Sequence, residues 1–336
     1  MPRWIRMVAA ISAAVALSLL APNGAVAAER CASRASTYSG TFWSPYDDWS
    51  VGDMESTFRE QSSVGIRSTI VVWSVHLDAN DAAYPSSPSL GYSRFNDSIP
   101  KLVQAARATG QKLWMGLVVA PDGFPAHHED TAWLTGFVNR SKAVAHDLYA
   151  LYGNTIAGWY VPTEPGFADI DTAGEAKTYA GWLGQLTAYL HSHDGNKPVM
   201  VSPFMPSAIY TGASATRYVQ LLKPLIDTAK VDVWNLQDGF GMTAWSPSQE
   251  AAAFTLAKSY TRAAGSALWA SVYTPARDGN GTPVSVARMA PYLDAIAATG
   301  ATLSQWTYND YFSGTRATTD RALRVANLAA YRAWCS

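Results

Sequence analysis

Four side chains in this sequence have the types and positions to do acid–base or nucleophilic chemistry: Glu164, Asp238, Tyr273 and Asp310, each at or just past the end of a short apolar run. The run Gly158-Trp159-Tyr160-Val161-Pro162-Thr163 delivers Glu164, with Pro165 behind it. A carboxylate among prolines and aromatics is costly to desolvate, and desolvation raises its pKa into the range of a general acid at neutral pH. The competing reading is a salt-bridged or helix-capping Glu at the start of a loop. The run Asp232-Val233-Trp234-Asn235-Leu236-Gln237 ends in Asp238, which is either a second carboxylate or half of an Asp-Gly turn. Asn235 and Gln237 in that run can hydrogen-bond hydroxyl groups. The run Gln305-Trp306-Thr307-Tyr308-Asn309 leads to Asp310, the alternative second acid. Trp43, Trp73, Trp159, Tyr160, Trp306 and Tyr308 could wall a cleft as flat platforms for sugar rings, unless they pack in the core. Asp122 is a further candidate contact at the end of another run. Two acids flanking such a cleft would perform glycosidic-bond hydrolysis.

The elements that must carry these residues form a repeated pattern. Apolar strand-like runs at 39–43, 67–76, 112–119, 156–163, 198–204, 231–237, 267–273 and 301–308 alternate with amphipathic stretches. Those stretches lie at 53–64, 96–109, 131–152, 175–191, 215–229, 248–264, 284–298 and 320–334. Near-continuous apolar strands covered by helices predict a parallel sheet. Eight strand–helix units predict a single (β/α)8 TIM barrel of class α/β. A doubly wound sheet is the rival, but no Gly-rich phosphate loop follows the first strand. Gly65, Gly110, Gly153, Gly265 and Gly300 are predicted helix stops. Longer segments at 78–91, 121–130 and 274–283 follow the second, third and seventh strands, on the side where a barrel builds its site.

Composition narrows the function class. The 336 residues carry 25 Lys+Arg against 26 Asp+Glu, so no basic excess exists to neutralise nucleic-acid phosphates. With 48% apolar residues the chain has material for a large core, which excludes disorder. Residues 1–28 read as a secretory signal: Arg3 and Arg6, an apolar stretch from Met7 to Leu20, then Ala25-Val26-Ala27. Residues 29–336 are then the barrel, exported, secreted and not membrane-bound. Two cysteines, Cys31 and Cys335, remain at opposite ends, and in an exported chain a disulfide is expected. That bond requires the termini to meet, as they do in a closed barrel. No cofactor or metal is called for. His127-His128-Glu129-Asp130 lacks a ligand partner of known spacing and reads as solvated loop. No zinc-protease helix, P-loop or Gly-x-Ser-x-Gly elbow is present.

At these strand ends the chain resembles a bacterial and fungal family known only as domain of unknown function 4434, which looks like glycosidase-type TIM barrels. The resemblance rests on Trp73, Gly116-Leu117, Gly158-Trp159-Tyr160-Val161-Pro162 with Glu164, Ser202-Pro203-Phe204, Gln237-Asp238-Gly239 and Leu268-Trp269-Ala270. It implies a sugar-active hydrolase with Glu164 as acid/base. Relatives of this kind often carry Glu after their Trp-Ala-x-Val run; here Trp269-Ala270-Ser271-Val272 is followed by Tyr273. Either Asp238 or Asp310 supplies the second acid, or Tyr273 is itself the nucleophile, or catalysis is lost. The expectation is a monomeric glycoside hydrolase acting on a poly- or oligosaccharide. The alternative is a non-catalytic carbohydrate-binding barrel.

Overall fold

The computed structural model describes residues 31, 34–166, 169–204, 214–238, 245–273, 285–315 and 320–336. The expected signal at 1–28, the glycines after Asp238 and the segment 274–283 lie outside them. The barrel strands are β1 (Tyr38–Trp43), β2 (Ser68–Val71), β3 (Lys112–Gly116), β4 (Ile156–Val161), β5 (Val199–Val201), β6 (Val233–Gln237), β7 (Ala267–Tyr273) and β8 (Thr302–Trp306). Each runs parallel to its sequence neighbours, and β8 closes on β1. The outer ring is α1 (Val51–Ser62), α2 (Ser98–Thr109), α3 (Thr131–Tyr152), α4 (Ala173–Ser192), α5 (Ala215–Thr228), α6 (Pro247–Ala264), α7 (Val286–Ala297) and α8 (Arg321–Cys335). The chain is a single (β/α)8 barrel.

Local chemistry sets the helix ends. Thr172 with Glu175, and Ser246 with Gln249, form capping boxes that open α4 and α6. Gly65, Gly110, Gly265 and Gly300 take positive φ as predicted stops. Gly153 departs: it caps α3 at φ −49° in the right-handed region, donating to Tyr149 O.

Two apolar layers result. The larger lies between strands and helices. The smaller fills the barrel with Phe42, Ile70, Trp114, Tyr160, Met200 and Val233, joined by the partly buried Val72, Trp269 and Trp306. Gly158 makes room for this filling: a Cβ there would sit 2.4 Å from the Trp114 ring. The expected second strand, 67–76, splits in two. A Cβ at Gly116 would lie 2.3 Å from Val71 O, so the chain leaving β2 crosses directly over the end of β3. Beyond the crossing, Val75–His76 joins a separate four-stranded sheet with Asp81–Ala82, Ser93–Arg94 and Val118–Val119. Much of segment 78–91 is therefore an ordered part of the barrel mouth.

The ends of the chain meet. The Tyr38 N–H donates to Tyr331 Oη at 2.8 Å, and the two rings stack with centroids 5.6 Å apart. This docks α8 against β1 and brings Cys31 and Cys335 into a disulfide with Cα atoms 4.8 Å apart.

Candidate active site

Glu164 follows β4 at the C-terminal mouth. It lines a cavity of about 350 Å³ together with Val72, Val119, Phe124, Tyr160, Pro162 and Asp169. Its side chain is exposed to the open space of the cavity. Protein surrounds the carboxylate on its other sides, and the resulting desolvation pushes its pKa up to about 7. Water in the cavity screens part of that effect. A hydrogen bond from Gln237 works in the opposite direction by favouring the charged form.

Gln237 is held by its own partners. Its Nε2 donates to Ser202 O at 3.0 Å, and the Ser202 hydroxyl donates to Asn235 O at 2.7 Å. This fixes the amide with its nitrogen available to Glu164. The hydroxyls of Tyr160, Tyr179 and Tyr218 are buried close by, and burial is the largest cause holding all three well above the usual tyrosine range. The charge of Glu164 adds to each. They stay neutral, so no phenolate competes with the carboxylate for a proton.

Asp169 is the second carboxylate on the cavity wall. Burial raises its pKa, while the Gly166 N–H, which donates to Oδ2 at 2.8 Å, and His128 lower it. Sequence reasoning missed it because it lies in a loop five positions past Glu164, where only the folded loop brings it back. Phe124 was missed for the same reason. His128, Glu129 and Glu175 bring one ligand atom each within 4.8 Å of one another. Glu175 is occupied there as the acceptor of the α4 capping box.

Several expected site residues face elsewhere. Along β6, Val233, Asn235 and Gln237 point into the barrel in successive layers, so the next residue, Asp238, points out. Asp238 is fully buried, and its charge is felt by Glu250 on α6, Tyr292 on α7 and Tyr38 on β1. It belongs to the layer between strands and helices, not to the Glu164 cavity. Asn235 lies one layer below Gln237, fully buried, with Oδ1 accepting from the Ser304 hydroxyl at 2.9 Å. It is an internal strut, with Oδ1 engaged by Ser304 rather than turned to the cavity.

The same parity corrects Trp43 and Trp159, and the end of β8 at Trp306 corrects Tyr308. Trp43 is fully buried against Trp49 and Phe58, Trp159 is fully buried in the outer layer, and Tyr308 donates to Glu60 Oε1 at 2.7 Å on α1. None of them walls the cleft. Asp310 is exposed and accepts from the Thr307 hydroxyl at the start of the Tyr308–Tyr311 helical turn. That is a local capping role. Asp122 is exposed at the loop start, its N–H donating to Asp78 Oδ2 at 2.8 Å.

Tyr160 and Trp306 do sit in the barrel filling, and Trp306 is partly exposed, 5.0 Å from Phe42 between ring centroids. Trp73 packs at the mouth against Tyr46 and Phe95. Tyr273 ends β7 in register with Trp306; its side chain lies outside the described residues.

The arrangement can do one kind of chemistry well. It offers a carboxyl that titrates around neutrality, in an apolar-walled cavity open to solvent, with a second carboxylate lining the same cavity.

Comparison with known proteins agrees with this architecture. The family described as Domain of unknown function (DUF4434) matches residues 38–316. Among solved structures, a candidate alpha-L-fucosidase from Bacteroides thetaiotaomicron superposes with TM-score 0.73 at 17% identity, over 88% of this chain and 93% of its own. The endo-1,4-beta-mannanase of Rhizomucor miehei gives TM-score 0.60 at 14% identity, over 88% and 95%. The endo-1,4-beta-D-mannanase of Thermotoga petrophila gives 0.57 at 16%, over 80% and 88%. At these identities the likeness establishes the fold alone, a (β/α)8 barrel. No protein of curated function matches the sequence.

Proposed function

The chain belongs to the DUF4434 family, and we propose that it is an exported glycoside hydrolase that cleaves a glycosidic bond in an extracellular poly- or oligosaccharide. The observation that carries this reading is the Glu164 carboxyl. It is raised to about 7 in a cavity that a sugar ring could enter. In that state it protonates the glycosidic oxygen as the bond to the anomeric carbon breaks. Asp169 takes the role first sought in Asp238 or Asp310. As a carboxylate it stabilises the oxocarbenium-like centre or removes the proton from the attacking water. Gln237 steadies the charged form of Glu164 left after proton transfer. The likeness to glycosidase barrels supports the substrate class. Export rests on the leader pattern at 1–28, and the Cys31–Cys335 disulfide is in keeping with it.

Glu164→Gln tests the reading against a panel of aryl glycosides and soluble polysaccharides. Hydrolysis falls by about 10²–10⁴-fold, the usual share of a general acid, while binding persists. If wild type and variant release reducing ends equally, Glu164 is not the acid. A second reading has its own support: Tyr273 follows Trp269-Ala270-Ser271-Val272, where the family resemblance leads one to expect a Glu. If wild type binds a glycan and cleaves none on the panel, the protein is a non-catalytic carbohydrate-binding barrel.

A further inference from the structure

Two of the five large apolar side chains that stay exposed among the described residues are aromatic, and they touch. Tyr46 is 62% exposed and Phe95 41%, with ring centroids 5.4 Å apart. Both pack on the buried Trp73, at 5.3 and 6.0 Å. They come from different segments, one after β1 and one beyond the mouth sheet, so their meeting is a product of the fold. It is also braced. Asn96 Nδ2 donates to Pro45 O at 2.8 Å, tying the two segments at the residues next to the rings, and the Phe95 N–H donates to Ala82 O at 2.8 Å.

The patch adjoins the candidate active site. Trp73, its buried base, directly follows Val72, which lines the Glu164 cavity. The cations flanking the rings are paired with carboxylates, and the neighbouring Asp47 is hydrogen-bonded. Arg94 bonds Asp97, Lys101 meets Asp48 at 2.7 Å, and Asp47 accepts from Asn309 at 3.0 Å. A braced aromatic surface whose flanking Arg94 and Lys101 are both held by carboxylates suits the C–H face of a neutral sugar and offers no cation to an anionic one.

We propose that Tyr46 and Phe95 form a distal platform for a neutral polysaccharide, binding a sugar unit of the same chain whose glycosidic bond reaches Glu164. The inference rests on the glycosidase reading of the cavity and adds substrate length: the protein prefers long neutral chains to short glycosides. A Tyr46→Ala/Phe95→Ala double variant is the test, since both rings are exposed and its melting temperature should match wild type; Tyr46→Ser alone serves if it does not.

Binding is measured by affinity electrophoresis in gels containing galactomannan, xylan, mixed-linkage glucan or polygalacturonate, using Glu164→Gln as the background. Hydrolysis is measured on aryl glycosides and on the same polymers. At least one neutral polymer should retard the parent, with polygalacturonate inert. The double variant should lose about tenfold in affinity, the scale of one or two aromatic contacts, with aryl-glycoside turnover unchanged. Equal retardation of variant and parent overturns the platform, as does retardation by no neutral polymer. So does concentration-dependent dimerisation that the variant abolishes, because the patch would then be a protein interface. If wild type cleaves nothing yet the variant loses retardation, the platform stands and the hydrolase reading alone falls.

Discussion

Replacing Gln237 by methionine removes a hydrogen bond from the Glu164 carboxylate and keeps most of the side-chain volume. The donor favours the charged form, so its loss must move the Glu164 pKa further up from about 7. A hydrogen bond to a charged group contributes about 1.5–3 kcal/mol, and one pH unit corresponds to about 1.4 kcal/mol, so the ceiling is about 1–2 pH units. The carboxylate opens onto water in the cavity, and screening there reduces the expectation to about 0.5–1 pH unit. A general acid works only while protonated, so the alkaline limb of kcat/KM against pH should move up by that amount in Gln237→Met. The titration can also be followed without any substrate. In protein carrying ¹³C-labelled glutamate, the side-chain carboxyl resonance of Glu164 is assigned by its loss in Glu164→Gln and followed against pH. A midpoint that stays in place, or moves down, refutes the claim that Gln237 restrains Glu164.

Three other outcomes follow from the same geometry. Trp159→Ala should cost about 3–5 kcal/mol in denaturant unfolding, because the ring fills the layer between barrel and helices; weakened glycan binding with stability intact would return Trp159 to the cleft. Cys31→Ser with Cys335→Ser opens a loop spanning 304 residues, and calorimetry should show a lower Tm, with a loss of up to about 5 kcal/mol. Burial first, and then the charge of Asp238, raise the Glu250 pKa. A raised folded pKa means that the stability Glu250 contributes is complete below the titration range of an unfolded Glu and drains away as pH rises towards the folded value. Glu250→Gln should therefore melt with wild type near about pH 4 and above it at about pH 8, by roughly 2–4 °C for each kcal/mol recovered; a Tm difference that does not change with pH would count against the buried acid pair.

The fold was legible because its signals are local. Strand-like apolar runs, amphipathic stretches and helix-stop glycines each reside in a few consecutive residues, and a barrel places consecutive units side by side. Glu164 was legible for the same reason, as a polar group at the end of such a run. So was the meeting of Cys31 and Cys335, which closure of the barrel demands.

The faces of the strands were not legible. Both faces of a barrel strand are buried, one against the filling and one against the helices, so hydropathy does not distinguish inside from outside. Phe42 and Tyr160 point inward while their neighbours Trp43 and Trp159 point outward, and every one of these four is apolar enough for either place. Gln237 and Asp238 divide in the same way, so a shift of one residue would have exchanged an acid-restraining amide for a carboxylate at the mouth. Asp169, Tyr46 and Phe95 depend on how loops return over the barrel, which is set by contacts between segments far apart in the chain. The residues thus determined by themselves a closed eight-unit barrel with an acid at its rim. Inter-strand register and loop packing decided which partners that acid has, because those contacts exist only once the barrel has closed.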